Sequence, residues 1–177
     1  MPRYAALLRG INVGGNKKVP MADLKKLFEK LGFTNVKTLL NSGNALFASD
    51  EKKAALHGKI EKAMAEKFGF PIPLILRTVD ELKALAESEP FKGITVTPAT
   101  RLYITFLGEG SKKSSLKAPF ESEDGACRIL RISPTEVCSV LTLAEDVGTV
   151  DAMGIIEREF GKNVTTRNWN TVQKMLR

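Results

Sequence analysis

Residues 4–47 read YAALLRGINVGGNKKVPMADLKKLFEKLGFTNVKTLLNSGNALF, and the spacing of their apolar residues predicts the architecture of the first half of the chain. A strand-like run covers Arg3–Arg9, and Pro20–Leu31 repeats apolar residues at the spacing of an amphipathic helix. Two further strand-like runs, Val36–Leu40 and Ala45–Ser49, flank Asn-Ser-Gly-Asn, a sequence typical of a tight hairpin turn. The predicted order is therefore strand, helix, strand, strand.

The rest of the chain completes this order and then repeats it. The remaining predicted elements are the helix Lys52–Phe68, the strand Ile72–Arg77, the helix Val79–Glu87, the strand Leu102–Leu107, a helix near Ser115–Ser122, a hairpin that carries both cysteines, the helix Asp151–Phe160, the strand Val164–Thr166 and the helix Asn168–Leu176. The first part is βαββαβ, the order of the ferredoxin-like plait, and the second is βαββαβ with an extra C-terminal helix. We predict an α+β protein built from two ferredoxin-like plait subdomains by internal duplication.

The predicted subdomains divide the chain into three ranges. The first subdomain covers residues 1–78, a helical linker covers 79–100, and the second subdomain with its C-terminal helix covers 101–177. A chain of 177 residues is long enough for two small domains. The loops GGNKK and GEGSKK each follow the first strand of their half, which favours the duplication.

The charge balance points to an anionic partner without specifying one. The chain has 27 Lys and Arg residues against 20 Asp and Glu residues, a net charge of +7, and residues 1–90 carry 15 basic and 10 acidic residues. Such a balance favours nucleic acid, a nucleotide or an acidic metabolite. However, many helical lysines alternate with acids as on a solvated face, so solubility alone is the alternative. No run approaches the roughly 20 apolar residues of a membrane span, and no signal peptide is recognisable, so we expect a cytoplasmic protein without a membrane partner.

The loop after the first strand, residues 10–18 and here called the glycine loop, is the first candidate site. Its glycines permit positive φ angles, so that successive backbone N–H groups can converge on an anion, and its lysines add positive charge. It is neither a P-loop nor the dinucleotide fingerprint, because neither motif's spacing is present. The alternative is a long hydrated connection whose glycines only relieve strain.

The turn at residues 41–44 is expected to lie beside the glycine loop. In the plait topology, the loop after the first strand and the turn between the second and third strands share one end of the sheet. The turn's amides and hydroxyl could then contact the same ligand. The residues predicted to bind it here are Arg9, Gly10, Asn12, Gly14, Gly15, Lys17, Ser42 and Asn44.

The segment 165–170, TTRNWN, is a second candidate site. Arg167 could hold a phosphate or carboxylate through two hydrogen bonds, and Trp169 could stack on a ring, with Asn168 beside them. In the structural alternative, Trp169 anchors the C-terminal helix, Arg167 pairs with a carboxylate, and Thr166 or Asn168 caps the helix.

The inventory of catalytic and metal-binding residues is small. His57 is the only histidine and lies off the apolar face of its helix, which disfavours a catalytic triad and a zinc site. Cys138 is expected opposite Arg131, with Cys127 roughly 13 Å away, too far for a disulfide. A magnesium site at Asp146 and Asp151 has no specific spacing. We therefore expect no metal and no cofactor.

The opening segment 4–47 and the closing segment VTTRNWNTVQKML, residues 164–176, resemble the signatures of an uncharacterised bacterial family, domain-of-unknown-function family 1697. The resemblance spans essentially the whole chain. Leu39 and Leu40 stand where that family usually has an aromatic residue followed by Ile, which concerns strand packing. The resemblance implies two ferredoxin-like subdomains and no particular activity.

Four functions remain open from the sequence. The first hypothesis is a metal-independent binding module for a small anionic ligand, a nucleotide or a phosphorylated metabolite, at the glycine loop. The second is non-specific nucleic-acid binding through the basic first half. The third is a structural or oligomerisation module whose polar motifs only cap helices and close turns. The fourth is an enzyme that uses Arg and Asn side chains for electrostatic stabilisation.

Overall fold

The computed structural model describes residues 1–143 and 152–177. Within these ranges the chain forms nine strands and five helices, and the strands make two antiparallel sheets. The predicted α+β class is therefore confirmed. The chain divides into two compact units, residues 1–83 with Leu176 and residues 84–175 with Arg177.

The first unit contains a four-stranded sheet and two helices, followed by the first residues of a third helix. Its elements are β1 (Arg3–Leu8), α1 (Met21–Lys30), β2 (Thr34–Leu39), β3 (Asn44–Ala48), α2 (Lys53–Phe68), β4 (Leu74–Thr78) and α3 (Val79–Glu87). The order of strands across the sheet is β2-β3-β1-β4, and each neighbouring pair is antiparallel. Each of these elements was predicted, with ends that differ by at most two residues.

The core of the first unit forms where α1 and α2 bury their apolar residues against one face of the sheet. Leu24 and Phe28 of α1 are four residues apart and are fully buried, as the helical spacing requires. Phe47 of β3 meets Phe28 edge to face at 5.3 Å between ring centroids and stacks on Phe33 at 4.5 Å. This aromatic cluster stabilises the packing of α1 against β3, because such ring pairs add to the stabilisation that comes from the apolar area they bury.

The second unit contains a five-stranded sheet and two helices. Its elements are β5 (Thr100–Leu107), β6 (Phe120–Glu121), β7 (Cys127–Ile132), β8 (Glu136–Thr142), α4 (Ala152–Phe160), β9 (Val164–Asn168) and α5 (Trp169–Met175). The strand order is β6-β7-β8-β5-β9. Ile156 and Phe160 of α4 pack on Ile129, Val137 and Val164 of this sheet.

The predicted helix near Ser115–Ser122 is wrong. The structure places the short strand β6 there, with Phe120 opposite Ile129 of β7. Pro119 would stand inside such a helix, where it removes a hydrogen bond and clashes with the preceding turn. The Ser114 hydroxyl group accepts a hydrogen bond from the Leu116 N–H at 2.9 Å and donates to Glu159 at 2.6 Å, which holds an irregular backbone instead.

The cysteine hairpin has the predicted register. Arg131 of β7 lies opposite Cys138 of β8, and Cys127 lies opposite Leu141. Both cysteines are buried and carry free thiols. Burial raises the pKa of both thiols above the ordinary value.

Candidate functional site

The glycine loop is a miniature hairpin between β1 and α1. The Asn12 N–H donates to the Lys17 carbonyl at 3.1 Å, and the Asn16 N–H donates to the Val13 carbonyl at 3.2 Å. The two residues between Val13 and Asn16 are Gly14 and Gly15, with φ angles of 60° and 77°. A two-residue hairpin turn of this kind requires positive φ at both central positions, which explains the paired glycines.

Asn12 fastens the base of this hairpin. Its Oδ1 accepts the Val19 N–H at 2.8 Å, and its Nδ2 donates to the Val19 carbonyl at 3.0 Å and to the Asn41 carbonyl at 2.8 Å. The side-chain amide thus closes the loop and ties it to the turn at residues 41–44. Both N–H groups of this amide are used inside the protein, so ligand contacts at the loop have to come from other residues.

The glycine loop and the turn at 41–44 meet at one end of the sheet, as the plait topology predicts. The Leu8 N–H donates to the Gly43 carbonyl at 2.8 Å, beside the bond between Asn12 and Asn41. Gly43 is buried with a φ of 86°, and a Cβ atom there would lie 2.7 Å from Ile11 Cδ1 and 2.9 Å from Leu8 Cβ. The close approach of the two loops therefore depends on glycine at this position.

The predicted hairpin turn at 41–44 is confirmed, because Leu39 of β2 pairs with Asn44 of β3. Asn44 is 0% exposed, and its Nδ2 donates to the Leu39 carbonyl at 2.8 Å and to Ser42 Oγ at 3.1 Å. Asn44 thus braces the turn and has no surface to offer a ligand. Ser42 and its neighbour Asn41 are exposed.

The longest exposed stretch of the glycine loop is its tip, residues 13–18. Lys17 and Lys18 lie here beside the two turn glycines. Helix α1 begins after Pro20, and no side chain caps its first N–H groups. The positive end of the helix therefore adds to the lysine charges, and Asp23 is the one acidic residue in its first turn. The tip can therefore attract an anion.

The segment 165–170 forms the end of β9 and the start of α5 in the second unit. Arg167 is 7% exposed, and its Nη1 donates to Thr165 Oγ1 at 2.7 Å and to the Thr166 carbonyl at 2.9 Å. Burial lowers the pKa of this guanidinium to about 10. Asn168 Oδ1 accepts the Asn170 N–H at 3.2 Å, so the predicted cap of the final helix is confirmed at Asn168.

Two other side chains of this segment, those of Thr166 and Trp169, also have contacts inside the second unit. Thr166 shares a hydrogen bond with Thr105 of β5 at 2.8 Å. Trp169 is half-buried and meets Phe91 edge to face at 5.5 Å between ring centroids. The predicted site residues therefore form two groups, eight in the first unit and three in the second.

Of the remaining candidates for chemistry, His57 has contacts within the first unit. His57 lies with Nε2 3.0 Å from the Leu74 carbonyl and Nδ1 3.7 Å from Glu61. Asp146 and Asp151 lie outside the described residues. Over residues 1–143 and 152–177, no three His, Cys, Asp or Glu side chains are grouped as metal ligands would be. In the same ranges, none of the helices has the length and apolar content needed to cross a bilayer.

Comparisons with known proteins give a family and a related structure. A family model described as "Protein of unknown function (DUF1697)" matches residues 1–131. The structure of conserved bacterial protein SP0830 from Streptococcus pneumoniae is similar, with a TM-score of 0.76 and 27% sequence identity. The similarity covers 99% of each chain. A search among curated proteins found no match.

Proposed function

We propose that this chain, which belongs to the family of proteins of unknown function DUF1697, is a binding module for a small anionic ligand. The ligand is a nucleotide or a phosphorylated metabolite, and it binds at the tip of the glycine loop. One observation carries the proposal. The base of the loop is held by three hydrogen bonds of Asn12, while its cationic tip is exposed.

The fixed base of the glycine loop lowers the entropic cost of ligand binding. A loop that is already ordered loses less conformational entropy when a ligand binds, so more of the interaction energy appears as affinity. The bond from Leu8 to Gly43 and the Asn12 amide supply this order without occupying the tip.

Three features of the tip attract an anion. The glycines at 14 and 15 leave their backbone N–H groups unshielded by a Cβ atom. Lys17 and Lys18 contribute two ammonium groups, and the uncapped start of α1 contributes the positive end of its dipole. Arg9, Gly10 and Ser42 flank this surface. Contributions from Arg167, Asn168 and Trp169 stay a prediction, and the proposal does not depend on them.

The proposal is tested by thermal unfolding of the full chain with inorganic phosphate, nucleoside phosphates and sugar phosphates. A ligand present at about 100 times its Kd should stabilise the chain by about 2.7 kcal/mol. The variant Lys17→Glu with Lys18→Glu should lose this stabilisation. The control variant Lys25→Glu with Lys62→Glu changes the net charge equally on the exposed surfaces of α1 and α2 and should keep it. A screen without any stabilisation, or equal binding by both variants, would refute the proposal.

We also propose that the two sheets are copies of one ferredoxin-like plait. In the first unit the strand order is β2-β3-β1-β4. In the second it is β7-β8-β5-β9, with β6 added at the edge beside β7. The order along the chain and the antiparallel directions agree, which supports a duplication in which the copy of α1 was replaced by an irregular segment and β6.

Strand register supports the same proposal. Tyr4 of β1 lies opposite Thr78 of β4, and Tyr103 of β5 lies opposite Asn168 of β9. In both units the residue before this partner is a buried arginine, and the residue after it begins a helix. This shared order of strand, arginine, cap and helix supports the duplication.

The hairpins β2–β3 and β7–β8 each contain a register shift, and the two shifts lie at corresponding places. The register of β2 against β3 shifts between Thr34 and Lys37, and that of β7 against β8 shifts between Ile129 and Arg131. A bulge is specific to its position, because it places one extra residue in a single strand. Its occurrence at corresponding places favours descent from one unit.

A further inference from the structure

A groove on the first unit, between α1 and α2, has the composition of a ligand site of another kind. This open groove has a volume of about 430 Å³, within the range of roughly 300–1,000 Å³ that small-molecule sites occupy. It is lined by residues of the two helices, including Leu27, Lys26 and Ala63. We refer to it as the helix groove.

The floor of the helix groove is apolar. Leu24 and Phe28 of α1 are fully buried in the core, whereas Leu27 and Leu31 lie at its edge and stay half-buried. Ala63 faces them from α2 and, with its small side chain, leaves the space open. A bound apolar group would cover this remaining surface, and removal of apolar surface from water drives association.

The rim of the helix groove is cationic. Lys26, Lys30 and Lys67 line it, and in the described part of the chain none of them lies within ion-pair distance of a carboxylate. Elsewhere on the same helices such pairs do form, as between Lys25 and Glu29 at 3.8 Å. The rim lysines can therefore place their ammonium groups over a ligand, since their alkyl chains lie along apolar surface.

The carboxylates of the groove limit the charge that a ligand can carry. Asp23 and Glu66 also line it, so its side chains together carry only a small positive charge. A polyphosphate would be repelled by these two groups, whereas a ligand with one anionic end can place that end beside the lysines.

We propose that the helix groove binds a small amphipathic anion, with an aliphatic body on Leu27, Leu31 and Ala63 and a single carboxylate or phosphate head at the rim lysines. This site is separate from the tip of the glycine loop and goes beyond the function proposed above. Either proposal can fail without the other.

The test is an NMR titration of the full ¹⁵N-labelled chain with decanoate below its micelle concentration. Saturable shifts are expected for backbone amides of α1 and α2 around the groove, and decanol should bind more weakly because it lacks the charge. The triple variant Lys26→Gln, Lys30→Gln and Lys67→Gln should raise the decanoate Kd about tenfold. The control Lys25→Gln, Lys52→Gln and Lys62→Gln removes the same charge from exposed positions and should leave the Kd unchanged.

A second variant tests the cavity itself. Ala63→Phe should fill the groove and abolish the decanoate shifts. Absence of saturable shifts overturns the proposal, as do shifts confined to residues outside the groove. Equal Kd values for the two triple variants also overturn it, and these surface variants decide the question even if Ala63→Phe folds poorly.

Discussion

Asparagine side chains brace the backbone at three positions where a polar residue would equally suit a ligand. Asn12 closes the glycine loop, Asn44 braces the hairpin turn and Asn168 caps α5. The asparagine amide carries a donor and an acceptor, as the peptide group does, and so can replace a backbone partner. At the residue scale, the ligand hypothesis therefore depends on Lys17 and Lys18.

Gly43 allows a direct test of how tightly the two loops meet. We expect Gly43→Ala to lower the free energy of unfolding by roughly 2–4 kcal/mol, because its Cβ atom would overlap Ile11 and Leu8 at a positive φ. Gly15→Ala should cost only about 1 kcal/mol, since its φ is also positive but its Cβ atom would meet open space. Urea denaturation of both variants measures the difference, and equal losses would contradict the close contact.

The buried thiols predict a dependence of stability on alkaline pH. Burial raises the pKa of Cys127 and Cys138 above the ordinary thiol value of 9.0, so the folded chain keeps protons that the unfolded chain releases. Their contribution to stability is complete below pH 9.0 and is lost as the pH rises above it. A Cys127→Ala, Cys138→Ala variant should show a shallower alkaline decline in urea denaturation. A decline as steep as that of the parent chain would show that other groups cause it.

At the scale of elements, α3 and α5 each follow a strand that ends in an arginine and a capping residue. Thr78 Oγ1 accepts the Glu81 N–H at 3.1 Å, and the Thr78 N–H donates to Glu81 Oε2 at 2.6 Å, which is a capping box before α3. Burial alone would raise the pKa of Glu81, but hydrogen bonds from Thr78 and Lys53 outweigh it and lower that pKa. Asn168 has the corresponding position before α5.

We expect Thr78→Ala and Asn168→Ala each to lower the free energy of unfolding by about 1 kcal/mol, because each removes the side-chain acceptor of a helix N-cap. Asn170→Ala is the matched control, since Asn170 is exposed inside α5 and its backbone N–H would remain bonded to Asn168. Urea denaturation provides the measurement. If Asn168→Ala were as stable as the control, the cap would contribute nothing to α5.

At the scale of the whole molecule, the net charge of +7 would favour both nucleic-acid binding and binding of a small anionic ligand. The effect of salt separates these two hypotheses. Charge alone attracts nucleic acid at low salt, and the affinity then falls linearly on a logarithmic scale as salt increases. We expect a labelled oligonucleotide, single- or double-stranded, to be released by about 150 mM salt, because acids alternate with the lysines and exposed charges are screened over about 8 Å. Fluorescence anisotropy measures this release. Retention at that salt would favour the nucleic-acid function over a small anionic ligand.

The similarity to SP0830 shows that this architecture tolerates extensive sequence change, since 27% identity accompanies a TM-score of 0.76. Family membership, predicted from the opening and closing segments, is confirmed by the match over residues 1–131, which includes the opening segment but not the closing one. It does not supply an activity, so function has to be argued from the site.

Local sequence patterns were sufficient for most elements, for the hairpin turn at 41–44 and for the register of Arg131 against Cys138. Each of these depends on residues a few positions apart, where helical and strand periodicities act. The contact between the glycine loop and the turn at 41–44 was also predicted from the sequence, because strand order determines which loops share an end of a sheet.

Three features could not be read from such patterns. Asn12 finds Asn41 across 29 residues, Asn44 is buried beneath its own turn, and β6 forms through pairing with β7 in place of a helix. Sequence shows that an amide can donate and accept hydrogen bonds, but not whether a ligand, water or a distant carbonyl receives them. That choice belongs to long-range packing, because the partner comes within reach only after the chain has folded.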